Sequence, residues 1–321
     1  MTRVALYDVD SAIPNLALMK LARHHKERGD EVGWFHPLWA STYDRIYASK
    51  VFDFSDGVLL DSECMEIGGT GWDLKSELPP EIERLQPDYS LYGYPHSIGF
   101  TMRGCRFACK FCVVPEKEGR PQPNNTIGEI WAQRDSDFIV LLDNDFFGNP
   151  EWGERIAEIR EHDLRVNFSQ GLNIRIITEG QAAALASVRF SNIHCTKKQV
   201  HFAWDRCRDA RLIRRGFERC VAAGIRPAQM AFYVLIGFDT THEENLERVT
   251  TLAEWGCDPY AMPYDRSDPY QKAFARWVNH KAIFKTVPWD DYRASIKGAH
   301  SERGDAAQRQ GNLTLGGLTD A

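Results

Sequence analysis

The chain has 321 residues, of which 43% are hydrophobic and 26% charged, and its formal net charge is −6. This balance is typical of a globular protein with room for one large domain or two smaller ones. The negative charge disfavours sequence-independent binding along a nucleic-acid backbone, so no extended nucleic-acid surface is expected. Neither an apolar run of about 18 residues nor a signal peptide is found, which predicts a cytoplasmic protein without a membrane partner.

The first 95 residues follow the pattern of a small Rossmann-like α/β domain. An apolar run at Val4–Tyr7 predicts a strand, and helical spacing over Asn15–Arg28 ends at Gly29. A second strand is predicted at Glu31–Phe35, and the order strand, helix, strand favours parallel pairing. A third strand is predicted at Gly57–Leu60.

Residues 96–265 alternate apolar strand candidates with helical stretches, and two of the helices begin with the capping-box pattern, at Thr126 and Thr241. Six such units predict an open, partial (β/α)6 barrel, with functional groups at the carboxyl ends of the strands. The strand candidates are Ile98–Thr101, Phe138–Leu142, Val166–Phe168, Val200–Trp204, Met230–Ile236 and Pro259–Met262. The fold class is therefore predicted as α/β.

The remaining residues, 266–321, predict a helical and aromatic C-terminal cap that closes one side of the barrel. Its last twenty or so residues are rich in Gly, Gln and Asp and predict a flexible tail.

Three cysteines, Cys105, Cys109 and Cys112, fall within eight residues directly after the first strand of the barrel pattern. A loop this short can wrap three thiolates around one face of an iron–sulfur cube and leaves one iron without a protein ligand. The other cysteines do not show this spacing. Four of them are predicted to be small buried hydrophobic residues, namely Cys195, Cys207, Cys220 and Cys257.

The Cys-x₃-Cys-x₂-Cys spacing, with Phe111 just before the last cysteine, resembles the radical S-adenosylmethionine (SAM) superfamily. The resemblance covers about residues 97–265. It implies a [4Fe–4S] cluster on the three cysteines, with SAM bound to the fourth iron and cleaved by one electron. The resulting radical would abstract hydrogen from a small-molecule or nucleoside substrate. The electron would come from a flavodoxin- or ferredoxin-type partner protein.

The same resemblance assigns cofactor-binding positions after three further strands. An acidic-amide turn follows the second strand, a Gln-Gly-Leu-x-x-Arg-like segment follows the third, and the fifth strand ends in a glycine. Together with Phe111, the positions implied for the SAM pocket are Asp143, Asn144, Asp145, Gln170, Arg175 and Gly237. Trp204, Asp205, Tyr260 and Met262 are candidates for the substrate side.

Structural alternatives exist for these residues. The cysteines would suit a structural zinc site with His96 or a distant cysteine as fourth ligand. The turn at Asp143 and Asp145 would suit a helix N-terminus, and Arg175 would suit a surface ion pair.

The N-terminal domain is similar to the cobalamin-binding domains of some radical SAM methyltransferases. However, the segment Tyr7–Ser11 lacks the Asp-x-His-x-x-Gly motif that ligates cobalt. Cobalamin is therefore an alternative that is not favoured. Methylthiotransferases carry three further N-terminal cysteines, whereas this region has only Cys64.

Overall fold

The computed structural model describes residues 1–57 and 63–295, which form a mixed α/β structure with parallel sheets. In this part of the chain no helix has both the length and the apolar surface needed to cross a membrane. The strands are β1 (Arg3–Asp8), β2 (Glu31–Trp34), β3 (Arg45–Ser49), β4 (Met65–Gly68), β5 (Ser97–Gly99), β6 (Met102–Arg103), β7 (Gln122–Pro123), β8 (Phe138–Leu141), β9 (Arg165–Phe168), β10 (Arg189–Phe190), β11 (Val200–Ala203), β12 (Met230–Ile236) and β13 (Asp258–Pro263). The α-helices are α1 (Leu16–Glu27), α2 (Pro80–Glu83), α3 (Val114–Lys117), α4 (Ile127–Ile130), α5 (Trp152–Glu161), α6 (Glu179–Ala186), α7 (Ala210–Ala222), α8 (His242–Glu254), α9 (Pro269–Asn279) and α10 (Lys281–Thr286).

The first sheet has the order β2-β1-β3-β4, and all of its pairs are parallel. Helix α1 crosses from β1 to β2, as predicted. It begins where the Asn15 side chain accepts hydrogen bonds from the first free backbone N–H groups, and it ends before Gly29, whose φ is +81°. The strand predicted at Gly57–Leu60 falls mainly outside the described residues, whereas β3 and β4 were not predicted.

All six strand candidates between residues 96 and 265 are strands. They lie in two parallel sheets of order β10-β9-β8-β5 and β11-β12-β13. An isolated parallel bridge between Leu172 and Phe202 connects the segment after β9 with β11. The predicted capping boxes at Thr126 and Thr241 are present, and a third occurs at Thr178.

Strand β8 is buried on both faces and shows how the sheets are covered. Its residues Ile139 and Leu141 belong to the main core, which includes residues of helices α5 to α9. Phe138 and Val140 point to the opposite face, where they pack in a cluster with Met19 of α1. Helix α1 therefore contacts both the first and the second sheet, and the predicted domain boundary at residue 95 stays a prediction.

The described part of the C-terminal region is helical and aromatic, as predicted. Helix α9 packs against β13. Phe274, Trp277 and Trp289 pack together with ring centroids 5.0–5.4 Å apart. The flexible tail predicted at the end of the chain lies outside the described residues.

Gly216 of α7 provides a test of how this helix packs. A Cβ atom at this position would lie 2.1 Å from the backbone oxygen of Ile174. We expect Gly216→Ala to lower the free energy of unfolding by about 2 kcal/mol, because the clash outweighs the better helix propensity of alanine. Gly153→Ala in α5, where no atom lies within 4 Å of the added Cβ, should leave stability unchanged or raise it by about 0.5–1 kcal/mol. Urea unfolding midpoints measure both, and equal effects would contradict this packing.

Candidate functional site

The three cysteines lie in the loop that connects β6 to β7, an antiparallel pair that follows β5. The Cys105 N–H donates to the carbonyl of Gly119 at 3.2 Å, and the Cys112 N–H donates to the carbonyl of Cys109 at 3.0 Å. Gly104 has φ +79°, and a Cβ atom there would lie 2.3 Å from a backbone oxygen. Backbone hydrogen bonds within the loop therefore contribute to its folding, and its first turn needs glycine.

The three thiols are free and half-buried. Burial raises the pKa of Cys105 and of Cys109, and the charge of Cys112 raises both further. The Phe107 N–H donates to Cys105 Sγ at 3.5 Å. Three cysteine thiols within one short loop are a donor set of the type that binds iron or zinc once deprotonated.

Asp145 anchors this loop to the end of β8. The Arg106 guanidinium donates two hydrogen bonds to it, Nε to Oδ2 at 2.6 Å and a terminal nitrogen to Oδ1 at 2.9 Å. The Asp145 side chain is 2% exposed. Both of its oxygens have a protein partner, so Asp145 holds Arg106, the residue between Cys105 and Phe107. It does not cap the short 3₁₀ helix that follows it.

Asp143 and Asn144, at the same strand end, also contact the cysteine loop or its flanks. Asp143 is buried, and its Oδ1 accepts from the Thr101 hydroxyl at 3.0 Å and from the backbone N–H of Met102. Asn144 donates to Glu118 at 3.0 Å. Asp143 Oδ2 is buried without a hydrogen-bond partner, and burial raises the pKa of this carboxyl to about 7.

The segment after β9 places Arg175, but not Gln170, against the loop. Arg175 donates to Asp209 at 3.0 Å and to Asn173 at 3.2 Å, and its guanidinium carbon lies 5.0 Å from the centre of the Phe107 ring. The ion pair with Asp209 is mostly buried. Gln170 is exposed.

The ends of β12 and β13 meet the last part of the loop. Phe111 packs edge to face on Phe238 with centroids 5.5 Å apart, and Phe238 packs on Tyr264 at 4.8 Å. Gly237 has φ +83°, and a Cβ atom there would lie 2.2 Å from the Gln271 side chain. In this structure the absence of a Cβ atom at Gly237 therefore makes room for the Gln271 side chain. The sequence did not indicate this packing constraint.

Four residues that contact or face the loop were not predicted as part of the cofactor pocket: Arg106, Phe107, Asp205 and Phe238. Burial raises the pKa of Asp205, and its charge acts on the Cys109 thiol. The sequence signal that could have identified these residues is their position, either within the cysteine loop or directly after the end of a strand. Trp204 lies in the main core and not on the substrate side.

An open aromatic face, formed by His201, Tyr233, Tyr260 and Met262, lies on β11 to β13. Tyr260 and Met262 are 47% and 42% exposed. The Tyr233 ring is 5.1 Å from the His201 ring, nearly parallel to it, and 6.0 Å from the Tyr260 ring. Burial lowers the pKa of His201 to about 4, so its ring is neutral near pH 7.

In residues 1–57 and 63–295 no three His, Cys, Asp or Glu side chains converge closely enough to hold one metal ion. In a cubane cluster each thiolate binds a different iron, so the cysteines need only surround it. His96 precedes β5, at the other end of the strand from the loop, and bonds to Ser136 at 2.7 Å. The arrangement therefore does not support His96 as a fourth zinc ligand.

The cysteines outside the loop only partly match the sequence-based expectation. Cys220 and Cys257 are buried, whereas Cys195 and Cys207 are half-buried. The Cys207 thiol lies 3.6 Å from Glu247.

A cleft of about 820 Å³ lies beside the first sheet, and Lys117 and Glu118 of the β6–β7 loop form part of its wall. Residues of α1, β3, β4 and α2 line it together with Arg103 and Glu118. His25, in its wall, contacts Asp30 through one ring nitrogen (2.8 Å) and Tyr47 through the other (3.2 Å).

Comparison with known proteins found no family model that matches the chain and no curated protein similar to it.

Asp143 should make stability depend on pH. Its folded-state pKa, about 7, lies above the unfolded value of 3.8, so the folded protein keeps a proton that the unfolded chain releases. The stabilisation is fully present below about pH 4 and is lost as pH rises through 7, by a few kcal/mol in all. Asp143→Asn should remove this dependence. Urea unfolding of the metal-free protein from pH 5 to 8 measures this dependence, and Asp53→Asn, at an exposed position, is the control. Parallel plots of unfolding free energy against pH for the wild type and both variants would contradict the prediction.

Proposed function

We propose that this chain is a radical SAM enzyme built on a partial (β/α)6 barrel of the strands β5, β8, β9, β11, β12 and β13. One observation carries the proposal: the cysteine loop meets the segments that follow several of these parallel strands. It contacts Asp145 after β8, Arg175 after β9 and Phe238 after β12. The carboxyl edge of a parallel sheet is where α/β enzymes place their reactive groups.

In this proposal Cys105, Cys109 and Cys112 hold a [4Fe–4S] cluster whose fourth iron is open to SAM. When bound, the cluster and SAM supply one-electron cleavage of the sulfonium and a radical that abstracts hydrogen from substrate. The protein positions these groups and excludes water from them.

The contacts on this chain support positioning roles for several predicted residues. Asp145 and Asp143 hold the start of the cysteine loop, so in this proposal they position cluster ligands, whereas the resemblance implied a contact with SAM itself. Arg175 places a positive charge beside the Cys109 thiol and lowers its pKa, against the larger effect of burial. Phe111, next to the last cysteine, packs on Phe238 after β12.

Three predicted positions keep a role toward SAM in this proposal. Gln170 is exposed, and its side-chain amide, which donates to the Ser169 hydroxyl at 3.4 Å, would address the ribose or the carboxylate. Asn144 lies between the two carboxylates that fix the loop. Gly237 presents backbone at the carboxyl end of β12.

The substrate would lie against the open aromatic face. This face is on the same strands whose ends meet the cysteine loop, and its neutral and aromatic groups suit a small molecule or a nucleoside. Asp205, two residues after the end of β11, is a carboxylate at the edge of the sheet where the cysteine loop lies.

The cleft beside the first sheet bears on the cobalamin-dependent alternative. It offers room for part of a large ligand next to the N-terminal sheet, but both ring nitrogens of His25 already have protein partners. A corrinoid absorption spectrum in the purified protein would favour this alternative over the function proposed here.

Replacing any one of the loop cysteines should abolish cluster binding. We expect anaerobically reconstituted protein to hold about four iron and four sulfide per chain and to form 5′-deoxyadenosine with dithionite and SAM. Cys105→Ala, Cys109→Ala and Cys112→Ala should each lose the nucleoside and most of the iron, since each removes one of only three protein ligands.

Cys207→Ala is the matched control because this cysteine is half-buried and lies outside the loop. It should keep iron, sulfide and nucleoside formation. One equivalent of zinc in place of iron, or a cluster with no nucleoside product, would overturn the proposal.

A further inference from the structure

The exposed side of α7 carries an arginine face, formed by Arg208, Arg211 and Arg215. Their spacing of three and four residues places them on one side of the helix and of the short 3₁₀ turn before it. The opposite side of α7 is buried through Ile213, Gly216 and Cys220. All three arginines are exposed, and in the described part of the chain none of them makes an ion pair.

Neighbouring arginines do form ion pairs, unlike those of the arginine face. This difference indicates that Arg208, Arg211 and Arg215 do not serve to stabilise the helix. Arg175 and Arg206 both pair with Asp209, at 3.0 and 3.3 Å, and Arg214 pairs with Glu218 at 3.8 Å. These pairs satisfy the carboxylates near the helix. The three positive charges of the arginine face span about 10 Å along the helix and remain exposed to solvent. The net charge of the chain as a whole is −6.

The arginine face begins beside the cysteine loop. Arg206, two residues before Arg208, acts electrostatically on the Cys109 thiol, and Arg175 lies over Phe107 in the loop. On either side of Cys109, Ala108 and Lys110 are exposed. A protein that docks on the arginine face would thus lie near Cys109, whose two sequence neighbours are exposed.

We propose that the arginine face, with Lys110, is the docking surface for a small acidic one-electron carrier protein. This inference rests on the proposed function, which needs an electron from outside the chain. In the docked complex the carrier would be oxidised by one electron and the cluster reduced by one. A local basic patch on an acidic protein orients an acidic partner and speeds its encounter through complementary charge.

An RNA strand is a less suitable occupant than an acidic protein. The arginine face spans only about two helical turns. A phosphate backbone extends past a patch of this length onto a chain whose net charge is −6, whereas a compact acidic surface needs only the patch itself.

The test compares two reductants on the reconstituted enzyme. With reduced flavodoxin as electron donor at low ionic strength, Arg208→Glu/Arg211→Glu/Arg215→Glu should form 5′-deoxyadenosine at least about tenfold more slowly than wild type. With dithionite, which needs no docking surface, the two proteins should react at the same rate. The donor-driven rate of the wild type should also fall as salt is added, and that of the triple variant should be nearly independent of salt.

Two controls make the result specific. Arg160→Glu reverses an exposed arginine at the end of α5, at the opposite edge of the sheet, and should match wild type with both reductants. Replacement of the three arginines by lysine should keep most of the donor-driven rate, because the charge is retained.

Four outcomes would overturn the inference. These are an unchanged donor-driven rate in the triple variant, an equal fall with both reductants, an equal effect of Arg160→Glu, and loss of RNA binding with a normal donor-driven rate. No nucleoside from wild type with dithionite would instead overturn the proposed function, and the docking surface with it.

Discussion

The ion pair between Arg106 and Asp145 is the contact on which the cysteine loop depends. Asp145 is almost completely buried, and a carboxylate in such a place is stable only when it is paired and fully hydrogen-bonded. Arg106 supplies both bonds from within the loop, one residue after Cys105. The strand end and the loop therefore require each other: without the loop, the sheet would hold an unpaired buried charge.

The same pair explains why an acidic-amide turn follows β8. The sequence places Asp143, Asn144 and Asp145 at a strand end, which suggests ligand binding. Packing instead directs Asp145 to Arg106 and Asp143 to the backbone of Met102, so two carboxyl groups next to the cysteine loop are used to fix its start. The Oδ2 of Asp143 is left without a hydrogen-bond partner, and burial raises the pKa of that carboxyl.

Much of the fold could be predicted from local patterns. The six strands between residues 96 and 265 are short apolar runs separated by capped helices, and periodicity is enough to locate them. Strands β3 and β4 were missed because Arg45–Ser49 and Met65–Gly68 are short and interrupted by polar residues, although β3 lies inside the first sheet and only β4 is at its edge. The cysteine spacing identifies the candidate metal site because its ligands are close in sequence. The partners of the loop lie between about 40 and 130 residues further along the chain, and no local pattern specifies which strand end contacts which loop residue.

Gly237 shows why the pocket positions are harder to predict than the cysteines. A glycine at a strand end is equally compatible with a ligand beside the backbone and with a side chain packed there, and the sequence cannot distinguish these. In the structure Gln271, on a helix more than thirty residues later, occupies the space. Arg175 is a similar case: the ion pair that the sequence allowed at the surface is a mostly buried pair with Asp209, and the guanidinium also contacts Phe107, while the predicted ligand contact stays a prediction. Both residues stabilise the surroundings of the cysteine loop through contacts between distant elements. Asp209 is shared by Arg175 and Arg206, whereas Arg208, Arg211 and Arg215 make no ion pair in the described part of the chain. The contact that ties Arg175 to Phe107 of the loop therefore starts from the same helix end that carries the arginine face.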